Sequence, residues 1–381
     1  MSALSSKKLK AKGLSDSDDT VTMIENLSSD KKTKNVGHAG TAMRFLTSYY
    51  ALIPGEIILT GSERMKDRPI GELVDNLRKL GADISYMGKK NYPPLLIKGG
   101  KLKGGSLSVD GGISSQFISS LLMIAPLLPK GLEIKLTGNI ISASYINLTL
   151  QLMRRTGIKY SWKKNLIKVE EGNYQGGTIP VEPDWSAASY WYEIAALSHD
   201  PDIFLSGLTG DSLQGDSELV NIFENLGIRS GFEAKGVRLI KTSQAVTHFE
   251  YDFTLNPDIV QTLVPACVIM GISFRFTGTQ SLRIKETDRI LALHNEMKKF
   301  GARIDFNDSG EWIAWNGKSA FKNNTDAVID TYHDHRMAMA FAPLAIKTGE
   351  IRIKDPFVVT KSYPSYWDDL LSAGFKVTEI P

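Results

Sequence analysis

Cysteine is almost absent from this sequence, since Cys267 is the single one among 381 residues. A chain with one cysteine cannot form an intramolecular disulfide, nor a zinc site that is built from several thiolates. Cys267 lies inside the apolar run 263–270, and this setting predicts a buried, unreactive thiol.

Long hydrophobic runs are absent as well. No segment reaches the roughly 18 consecutive apolar residues that a membrane-spanning helix needs. The first residues are polar and lysine-rich, without the apolar segment of a secretory signal. We therefore expect a cytoplasmic protein that has no membrane partner.

The sequence also lacks a large excess of charge of one sign. Its formal net charge is only +3, and no basic tract comparable to the lysines at positions 7, 8, 10 and 12 follows later in the chain. Proteins that bind nucleic acids carry a basic patch or stripe. The charge therefore argues against a nucleic-acid partner. The length predicts two domains, and 42% hydrophobic residues is ordinary for a globular protein.

What the sequence does contain is a repeated pattern. An amphipathic helical stretch, then a glycine, then an extended run occurs five times, with the glycine at Gly81, Gly157, Gly227, Gly301 and Gly374. Successive glycines are 76, 70, 74 and 73 residues apart. Glycine at this place is expected to end the helix in the left-handed conformation. A fixed period of this kind predicts one supersecondary unit repeated along the chain.

A second series of features has the same period. Five apolar helices are expected to begin near Gly40, Ser114, Ser186, Asp258 and Asp334. Each is followed by a short strand that ends at a turn, so the unit reads helix, strand, helix, strand, strand.

A link with glycine and proline around 174–180 divides these units. It predicts a domain boundary at about residue 182. The N-terminal domain, 1–182, then holds two complete units, and the C-terminal domain, 183–381, holds three.

The residues before position 36 read as an abbreviated sixth unit. In the unit that follows it, 21 residues separate Gly40 from Gly61. The same distance counted back from Gly13 ends before Met1. By this spacing the sequence lacks one helix amino terminus.

The most highly charged window, 283–289, combines three cations with two carboxylates. If a helix begins at Glu286, Lys285 and Arg289 lie four residues apart on one face. Like charges at this spacing cost about 0.2–0.5 kcal/mol, and an anion between them would offset that cost. A solvated charged face is the alternative for this window alone. The recurrence of similar candidates elsewhere favours an anion-binding site.

The predicted helix openings carry residues that suit the same chemistry. Gly, Ser, Thr and Asp are good N-cap residues, and exposed N–H groups at a helix amino terminus bind anions. If three units pack around a pseudo-threefold axis, three helix ends meet on one face of each domain, and two such faces make a cleft for a polyanion. Side chains near the openings fit this prediction: Arg44, Arg68, Ser114, Ser115, Gln116, Arg336 and Lys361. The carboxylates Asp258 and Glu286 lie among cations and are candidates for a general base and a general acid.

These residues resemble the enolpyruvyl transferase family, in particular its shikimate-type members. The matching strings follow the family's order over almost the whole chain and lie at 17–20, 39–44, 64–70, 114–117, 214–216, 285–289, 334–339 and 361. The resemblance implies an α/β protein with a two-lobe inside-out α/β barrel. It is built from six βαβαββ-type repeats, three in each lobe, and the first repeat is abbreviated here.

The resemblance also implies an activity. Shikimate-type members transfer the enolpyruvyl group of phosphoenolpyruvate to the 5-hydroxyl of shikimate 3-phosphate and release phosphate, a step of aromatic amino-acid biosynthesis. The implied partners are these two small molecules, with no metal or organic cofactor. We expect a monomer.

The family's functional positions can be matched one by one. Those that resemble phosphoenolpyruvate contacts are Gly40, Arg68, Gln116, Arg289, Arg336 and Lys361. Those that resemble shikimate 3-phosphate contacts are Ser114, Ser115, Gln116, Ser142, Tyr145, Asp258 and Lys285. Asp258 resembles the base that takes the 5-hydroxyl proton. Glu286 resembles the group that handles the proton at the methylene carbon, aided by Lys361. His335 is expected to support these residues.

One departure from the family is serious. Its amino-terminal Lys-Ser…Arg motif has no counterpart, because the lysines at 7–12 stand too close to the string at 17–20. Loss of one preorganised donor costs about 10²–10³ in rate. Two hypotheses follow. Either the sequence begins at a downstream start, or the protein is a non-catalytic or crippled ligand-binding relative.

A second enzymatic alternative is the related transferase that acts on a UDP-amino sugar. That family places a reactive cysteine on a mobile loop. Cys267 lies in an apolar helical pattern instead, and the shikimate-type strings are intact. The sequence therefore disfavours this alternative.

Overall fold

The computed structural model describes residues 1–242, 244–318 and 321–380. The chain divides into two compact units, Met1–Val181 and Glu182–Pro381, here called unit 1 and unit 2. Among the described helices, none combines the length and the apolar character needed to cross a membrane.

Unit 1 contains ten strands and six α-helices within the described residues. The strands are β1 (Leu9–Lys12), β2 (Thr33–Asn35), β3 (Gly55–Thr60), β4 (Asp83–Tyr86), β5 (Leu95–Gly99), β6 (Gly105–Asp110), β7 (Leu132–Thr137), β8 (Tyr160–Lys163), β9 (Leu166–Val169) and β10 (Gly177–Pro180). The helices are α1 (Asp18–Ser28), α2 (Gly40–Leu52), α3 (Glu63–Lys66), α4 (Gly71–Lys79), α5 (Ser115–Ile124) and α6 (Ala143–Arg155).

Two sheets of unit 1 have the same topology. Their strand orders are β2-β3-β5-β4 and β6-β7-β9-β8. In each, the first two strands are parallel and the other two pairs are antiparallel. β1 pairs in parallel with β10 in a separate ribbon. The repeat that the glycine spacing predicts is therefore a structural repeat.

Unit 2 contains nine strands and seven α-helices within the described residues. The strands are β11 (Ile203–Ser206), β12 (Ile228–Glu233), β13 (Gly236–Lys241), β14 (His248–Asp252), β15 (Ser273–Thr277), β16 (Asp305–Phe306), β17 (Trp312–Trp315), β18 (Val328–Ile329) and β19 (Arg352–Ile353). The helices are α7 (Trp185–Leu197), α8 (Leu219–Glu224), α9 (Val260–Met270), α10 (Arg289–Lys298), α11 (His335–Phe341), α12 (Ala345–Thr348) and α13 (Tyr366–Ser372).

One sheet of unit 2 repeats the unit 1 topology in full. Its order is β14-β15-β17-β16, with β14 and β15 parallel. The other two are reduced, to β11-β13-β12 and to the parallel pair β18-β19. The five repeats thus share one plan, and three of them build its complete sheet.

The glycine caps predicted from the period are confirmed. Gly81, Gly157, Gly227, Gly301 and Gly374 all have positive φ, between 77° and 98°. A side chain at these positions would be strained, because only glycine adopts this conformation without steric cost.

Helices form the interior of each unit. In α9 every residue from Val260 to Val268 is buried, which is the pattern of a helix that is apolar on all sides. Strands such as β6 and β15 instead alternate buried and exposed residues, as expected when one face of a sheet is covered. α7 and α11 pack on α9 in unit 2, and α2 and α6 pack on α5 in unit 1.

One local prediction is wrong. The helix expected to begin at Glu286 begins instead at Arg289, and Lys285 has an extended backbone. The Asp288 carboxylate accepts the Leu291 N–H at 3.1 Å, so Asp288 is the N-cap. A short aspartate side chain reaches this N–H more readily than glutamate does. Lys285 and Arg289 therefore do not share a helix face.

Candidate active site

Three helices of unit 2 bring their amino-terminal ends together. α7, α9 and α11 pack against one another. Arg336, in the first turn of α11, lies 3.4 Å from the Tyr190 hydroxyl on α7 and 3.3 Å from Asp258, in the short 3-10 helix that leads into α9. The convergence expected from the repeats is therefore present in this unit.

Asp258 is the centre of the resulting charge cluster. Its carboxylate lies 3.1 Å from Lys285 and 2.8 Å from Arg289, in addition to Arg336. Burial alone would raise its pKa, but Lys285, Arg336 and Arg289 together hold the pKa of Asp258 well below its usual range. Asp258 is therefore an ionised carboxylate that is surrounded by cations.

Arg289 is buried and holds three carboxylates at once. Its Nε lies 2.7 Å from Asp334 Oδ2, and its two Nη atoms reach Asp258 at 2.8 Å and Glu286 at 2.9 Å. Its side chain is only 2% exposed. A guanidinium with a fixed fork of donors is suited to hold several carboxylates in one geometry. Arg289 thus organises the cluster.

Glu286 bridges two cations. One carboxylate oxygen lies 3.0 Å from Lys361 Nζ, and the other lies 2.9 Å from Arg289. The Glu286 side chain is 14% exposed.

His335 is uncharged in this environment. Burial, and then the nearby cations Lys361 and Arg336, hold the pKa of His335 well below its usual range. Its Nδ1 lies 3.5 Å from Asp334 Oδ1 without making a hydrogen bond among the described residues. Neutral imidazole does not add to the positive charge of the cluster.

Asp334 in this cluster and Asp216 beside it were not identified as functional from the sequence. Asp334 looks like a plain N-cap, and it does accept the Arg336 N–H at 2.9 Å, but it also anchors Arg289. Asp216 lies in the matching string 214–216 and accepts a hydrogen bond from Ser186. Burial, and then the nearby charge of Asp258, raises the pKa of Asp216 to about 6. Pairings between distant chain segments leave no local signal in a sequence.

Unit 1 places Arg68 directly over the start of α2. A Cβ atom built on Gly40 would lie 2.7 Å from Arg68 Nη1, so only glycine lets the guanidinium approach this closely. Gln116, in the first turn of α5, donates from Nε2 to Thr41 Oγ1 at 3.1 Å. The predicted residues Gly40, Arg68 and Gln116 are therefore associated with two adjacent helix starts.

The predicted serines of unit 1 lie at the starts of two packed helices. Ser114 is the N-cap of α5, Ser115 its first residue, and Ser142 the N-cap of α6, with Tyr145 in the first turn of that helix. Ser142 has a positive φ of 57°, an uncommon conformation for a residue with a side chain. Such conformations concentrate at functional sites.

The helix starts differ between the units in a way that the sequence did not predict. In unit 2, carboxylates cap α7 and α11 through Asp184 and Asp334, so these N–H groups are not open to an anion. In unit 1, the N-cap residues Ala39 and Ser114 make no side-chain cap among the described residues. The expectation of open helix ends is therefore wrong for α7 and α11, whereas the 3-10 helix that leads into α9 has no side-chain cap among the described residues.

Arg44, a further candidate from the sequence, has a structural role. It is 5% exposed, donates to the Gly40 carbonyl at 3.1 Å and to the Pro69 carbonyl at 3.4 Å, and lies over the Phe117 ring. These contacts hold the α2 start against the segment that carries Arg68.

No cluster of three or more His, Cys, Asp or Glu side chains in the described ranges is arranged to hold a metal ion. Cys267, on which the UDP-sugar alternative would depend, is fully buried in α9. Burial, and then the nearby Glu193, raises the pKa of this thiol. A thiol in this setting is not a nucleophile.

Comparison with known proteins agrees with this geometry. Residues 2–370 match the family described as EPSP synthase (3-phosphoshikimate 1-carboxyvinyltransferase). A 3-phosphoshikimate 1-carboxyvinyltransferase of Bacteroides fragilis is 50% identical over 366 residues, which cover 96% of this chain and 88% of that protein. One from Vibrio atlanticus is 37% identical over 347 residues, which cover 90% and 80%.

The fold is also that of a solved structure. EPSP synthase from Acinetobacter baumannii superposes with a TM-score of 0.73 at 20% identity, over 98% of this chain and 92% of that one. The two-lobe inside-out α/β architecture that the family resemblance implies is therefore the fold of this chain.

Proposed function

Since this chain belongs to the EPSP synthase family, we propose that it transfers the enolpyruvyl group of phosphoenolpyruvate to the 5-hydroxyl of shikimate 3-phosphate, with release of phosphate. The observation that carries the proposal is the cluster around Asp258. It joins a base candidate that is 15% exposed, an acid candidate and four cations through direct ion pairs.

Unit 1 supplies the contacts to shikimate 3-phosphate in this proposal. Residues 1–181 carry 26 lysines and arginines against 15 aspartates and glutamates, so the unit attracts a polyanion. The starts of α5 and α6 offer backbone N–H groups and the hydroxyls of Ser114, Ser115 and Ser142 to a phosphate. Tyr145 adds a phenolic donor nearby.

Unit 2 carries three of the six predicted phosphoenolpyruvate contacts. Arg289, Arg336 and Lys361 provide donors for its carboxylate and phosphate, and Gly40, Arg68 and Gln116 of unit 1 complete the predicted set. Glu286 now bridges Lys361 and Arg289, so the incoming anion has to replace it at one of these cations or share it. Glu286 is thereby released next to the methylene carbon.

The proton transfers follow from the same contacts. The 5-hydroxyl oxygen attacks C2 of phosphoenolpyruvate while Asp258 accepts the hydroxyl proton. Glu286 takes a proton from the Lys361 ammonium, 3.0 Å away, and delivers it to C3. The tetrahedral adduct then loses phosphate, and a proton leaves C3 to restore the double bond. Before substrates bind, Asp258 is a weak base because its pKa is held low. Substrate anions that pair with Lys285, Arg289 and Arg336 weaken this effect, and the basicity of Asp258 rises.

Variants of the two carboxylates test the assignment. In a coupled phosphate-release assay with both substrates, Asp258→Asn and Glu286→Gln should lower kcat by about 10²-fold or more. Calorimetry should still detect binding of shikimate 3-phosphate. If the unmodified protein binds both substrates but releases no phosphate, the non-catalytic relative is the correct assignment. If it binds neither, the proposed substrates are wrong.

The proposal also includes a cytoplasmic monomer that uses no nucleic acid, metal or organic cofactor. Light scattering behind a sizing column checks the monomer against the chain mass of 42.1 kDa. Full activity after dialysis against a chelator is the expected result for the metal-free reaction. A twofold mass or a loss of activity would contradict the corresponding part.

A further inference from the structure

The segment that precedes α11 is held in an unusual backbone conformation. Tyr332 and His333 both have positive φ, 52° and 57°. Tyrosine rarely adopts the left-handed region, and two such residues in succession persist only where surrounding contacts fix them. The two residues stand directly before Asp334, which anchors Arg289.

The contact that fixes this segment comes from a buried carboxylate on α10. The Tyr332 hydroxyl donates to Glu296 Oε1 at 2.8 Å, and the Asp330 N–H donates to Glu296 Oε2 at 3.1 Å. Lys299 pairs with the same Oε2 at 2.6 Å and also donates to the Val328 carbonyl. Glu296 is completely buried. Both of its oxygens are thus used to hold the segment 328–332.

The same two elements are therefore joined at two points. Arg289 begins α10, and Glu296 follows it seven residues later, two helical turns along. Asp334 and Tyr332 are two residues apart on the facing segment. Arg289 binds Asp334, and Glu296 binds Tyr332. Two attachments between a rigid helix and a short segment define position and direction, whereas a single ion pair leaves rotation free.

We infer that Glu296 and Tyr332 are positioning residues for the proposed transferase reaction. They hold Asp334 against Arg289 and orient the first turn of α11, so that Arg336 points at Asp258. Neither residue contacts the reacting groups. Their role is to preorganise the two guanidinium groups that are proposed to bind phosphoenolpyruvate, and the inference rests on that proposed function.

Tyr332→Phe tests this role, because it removes only the hydroxyl. Misplacement of a binding group by about 1 Å can cost 10²-fold in rate. We expect kcat/KM for phosphoenolpyruvate to fall by about 10- to 100-fold, while the dissociation constant of shikimate 3-phosphate changes less than about threefold. Glu296→Gln keeps an acceptor for the Tyr332 hydroxyl but turns an amide donor toward the Asp330 N–H. Its kcat/KM for phosphoenolpyruvate should therefore lie between those of Tyr332→Phe and the unmodified protein.

Tyr192→Phe is the matched control. Tyr192 is buried in the same unit and exchanges a 2.6 Å hydrogen bond with Ser230, which lies outside the charge cluster. This variant should have lower thermal stability but unchanged kcat and KM for phosphoenolpyruvate. If Tyr332→Phe behaves like Tyr192→Phe, the contact is merely structural and the inference is wrong.

Hydrogen exchange supplies a readout that does not depend on catalysis. The Asp334 N–H is bonded to the Thr331 carbonyl at 2.8 Å and the Arg336 N–H to Asp334. Both amides should exchange faster in Tyr332→Phe and Glu296→Gln, but not in Tyr192→Phe. Unchanged exchange in both variants would overturn the positioning role, even if the reaction proved to be a different one.

Discussion

Glu193 tests how much a buried carboxyl group without a hydrogen-bond partner costs in folding free energy. It lies on α7, is completely buried, and neither carboxyl oxygen has a hydrogen-bond partner among the described residues. Burial raises the pKa of Glu193 well above its ordinary value of 4.5, so the folded protein keeps the group protonated. An unsatisfied buried polar group costs about 1–3 kcal/mol. Glu193→Met, which keeps the length and removes the oxygens, should therefore stabilise the protein by about that amount.

The pH dependence of the free energy of unfolding is a second check on the stabilisation expected for Glu193→Met. In the unfolded chain Glu193 ionises above about pH 4.5, whereas in the folded chain it stays protonated up to its raised pKa. The folded state thus binds more protons, and unfolding becomes easier as pH rises through this interval, by about 1.4 kcal/mol per pH unit. Glu193→Met removes this slope. The stabilisation by the variant should therefore grow with pH from 4.5 upward.

Calorimetric unfolding of both proteins at several pH values measures this difference. For a unit of about 200 residues, 1 kcal/mol corresponds to roughly 2–4 °C in Tm. Glu296→Met is the matched control, since Glu296 is equally buried in the same unit but has partners on both oxygens. It should destabilise. A lower Tm for Glu193→Met, or a gain that is independent of pH, would refute the reasoning and would indicate that the Glu193 carboxyl has a partner in solution.

Three further perturbations follow from the site. Ionisation of Asp216, whose pKa is raised to about 6, adds negative charge beside Asp258, so KM for phosphoenolpyruvate should rise through pH 6 more steeply than in Asp216→Asn. Gly40→Ala places a methyl group 2.7 Å from Arg68 and should raise that KM about tenfold, with kcat less affected. The Cys267 thiol, buried in α9, should react with a thiol reagent no faster than the protein unfolds, and should react at once in urea.

Each of these outcomes has a control. For Asp216, the control is Asp211→Asn, which alters an exposed carboxylate of unit 2. Its pH dependence of KM for phosphoenolpyruvate should match that of the unmodified protein. Gly88→Ala adds a methyl group with no atom within 4 Å, so an equal rise in KM in both glycine variants would contradict the role of Arg68. Rapid labelling of Cys267 in the native protein would show that α9 opens without global unfolding.

Periodicity made the fold predictable. Glycine spacing located five helix ends, because a helix that stops at a fixed place needs a left-handed residue and few residues other than glycine accept it. The pattern did not predict which of two nearby acidic residues, Glu286 or Asp288, marks the start of α10. The Asp288 carboxylate accepts a hydrogen bond from the Leu291 N–H, so the helix begins at Arg289, three residues after Glu286. The sequence pattern therefore predicts the repeat period better than it predicts the first residue of a helix.

The residues of the site were predictable as types, whereas their pairings were not. Arg289 and Asp334 are 45 residues apart, and Lys361 and Glu286 are 75 apart. Arg289 begins α10, Asp334 caps α11, and Lys361 ends a 3-10 helix that packs on α11. Tertiary packing alone brings these residues into contact, so the anchor role of Asp334 appears only in the structure. Glu193 is a similar case, since a glutamate in an apolar helix gives no sign in the sequence of whether its carboxyl finds a partner.

Charge balance stabilises the cluster in unit 2. Four cations, Lys285, Arg289, Arg336 and Lys361, contact three carboxylates, Asp258, Glu286 and Asp334. An unpaired buried charge is strongly unfavourable, so the three carboxylates are required to keep four cations in a partly buried site. In the proposed reaction, an anionic substrate takes over or shares some of these contacts. The carboxylate that it displaces is then less strongly stabilised as an anion and becomes a stronger base. In the proposed reaction, the same ion pairs thus make the protonation of Asp258 and Glu286 responsive to substrate binding.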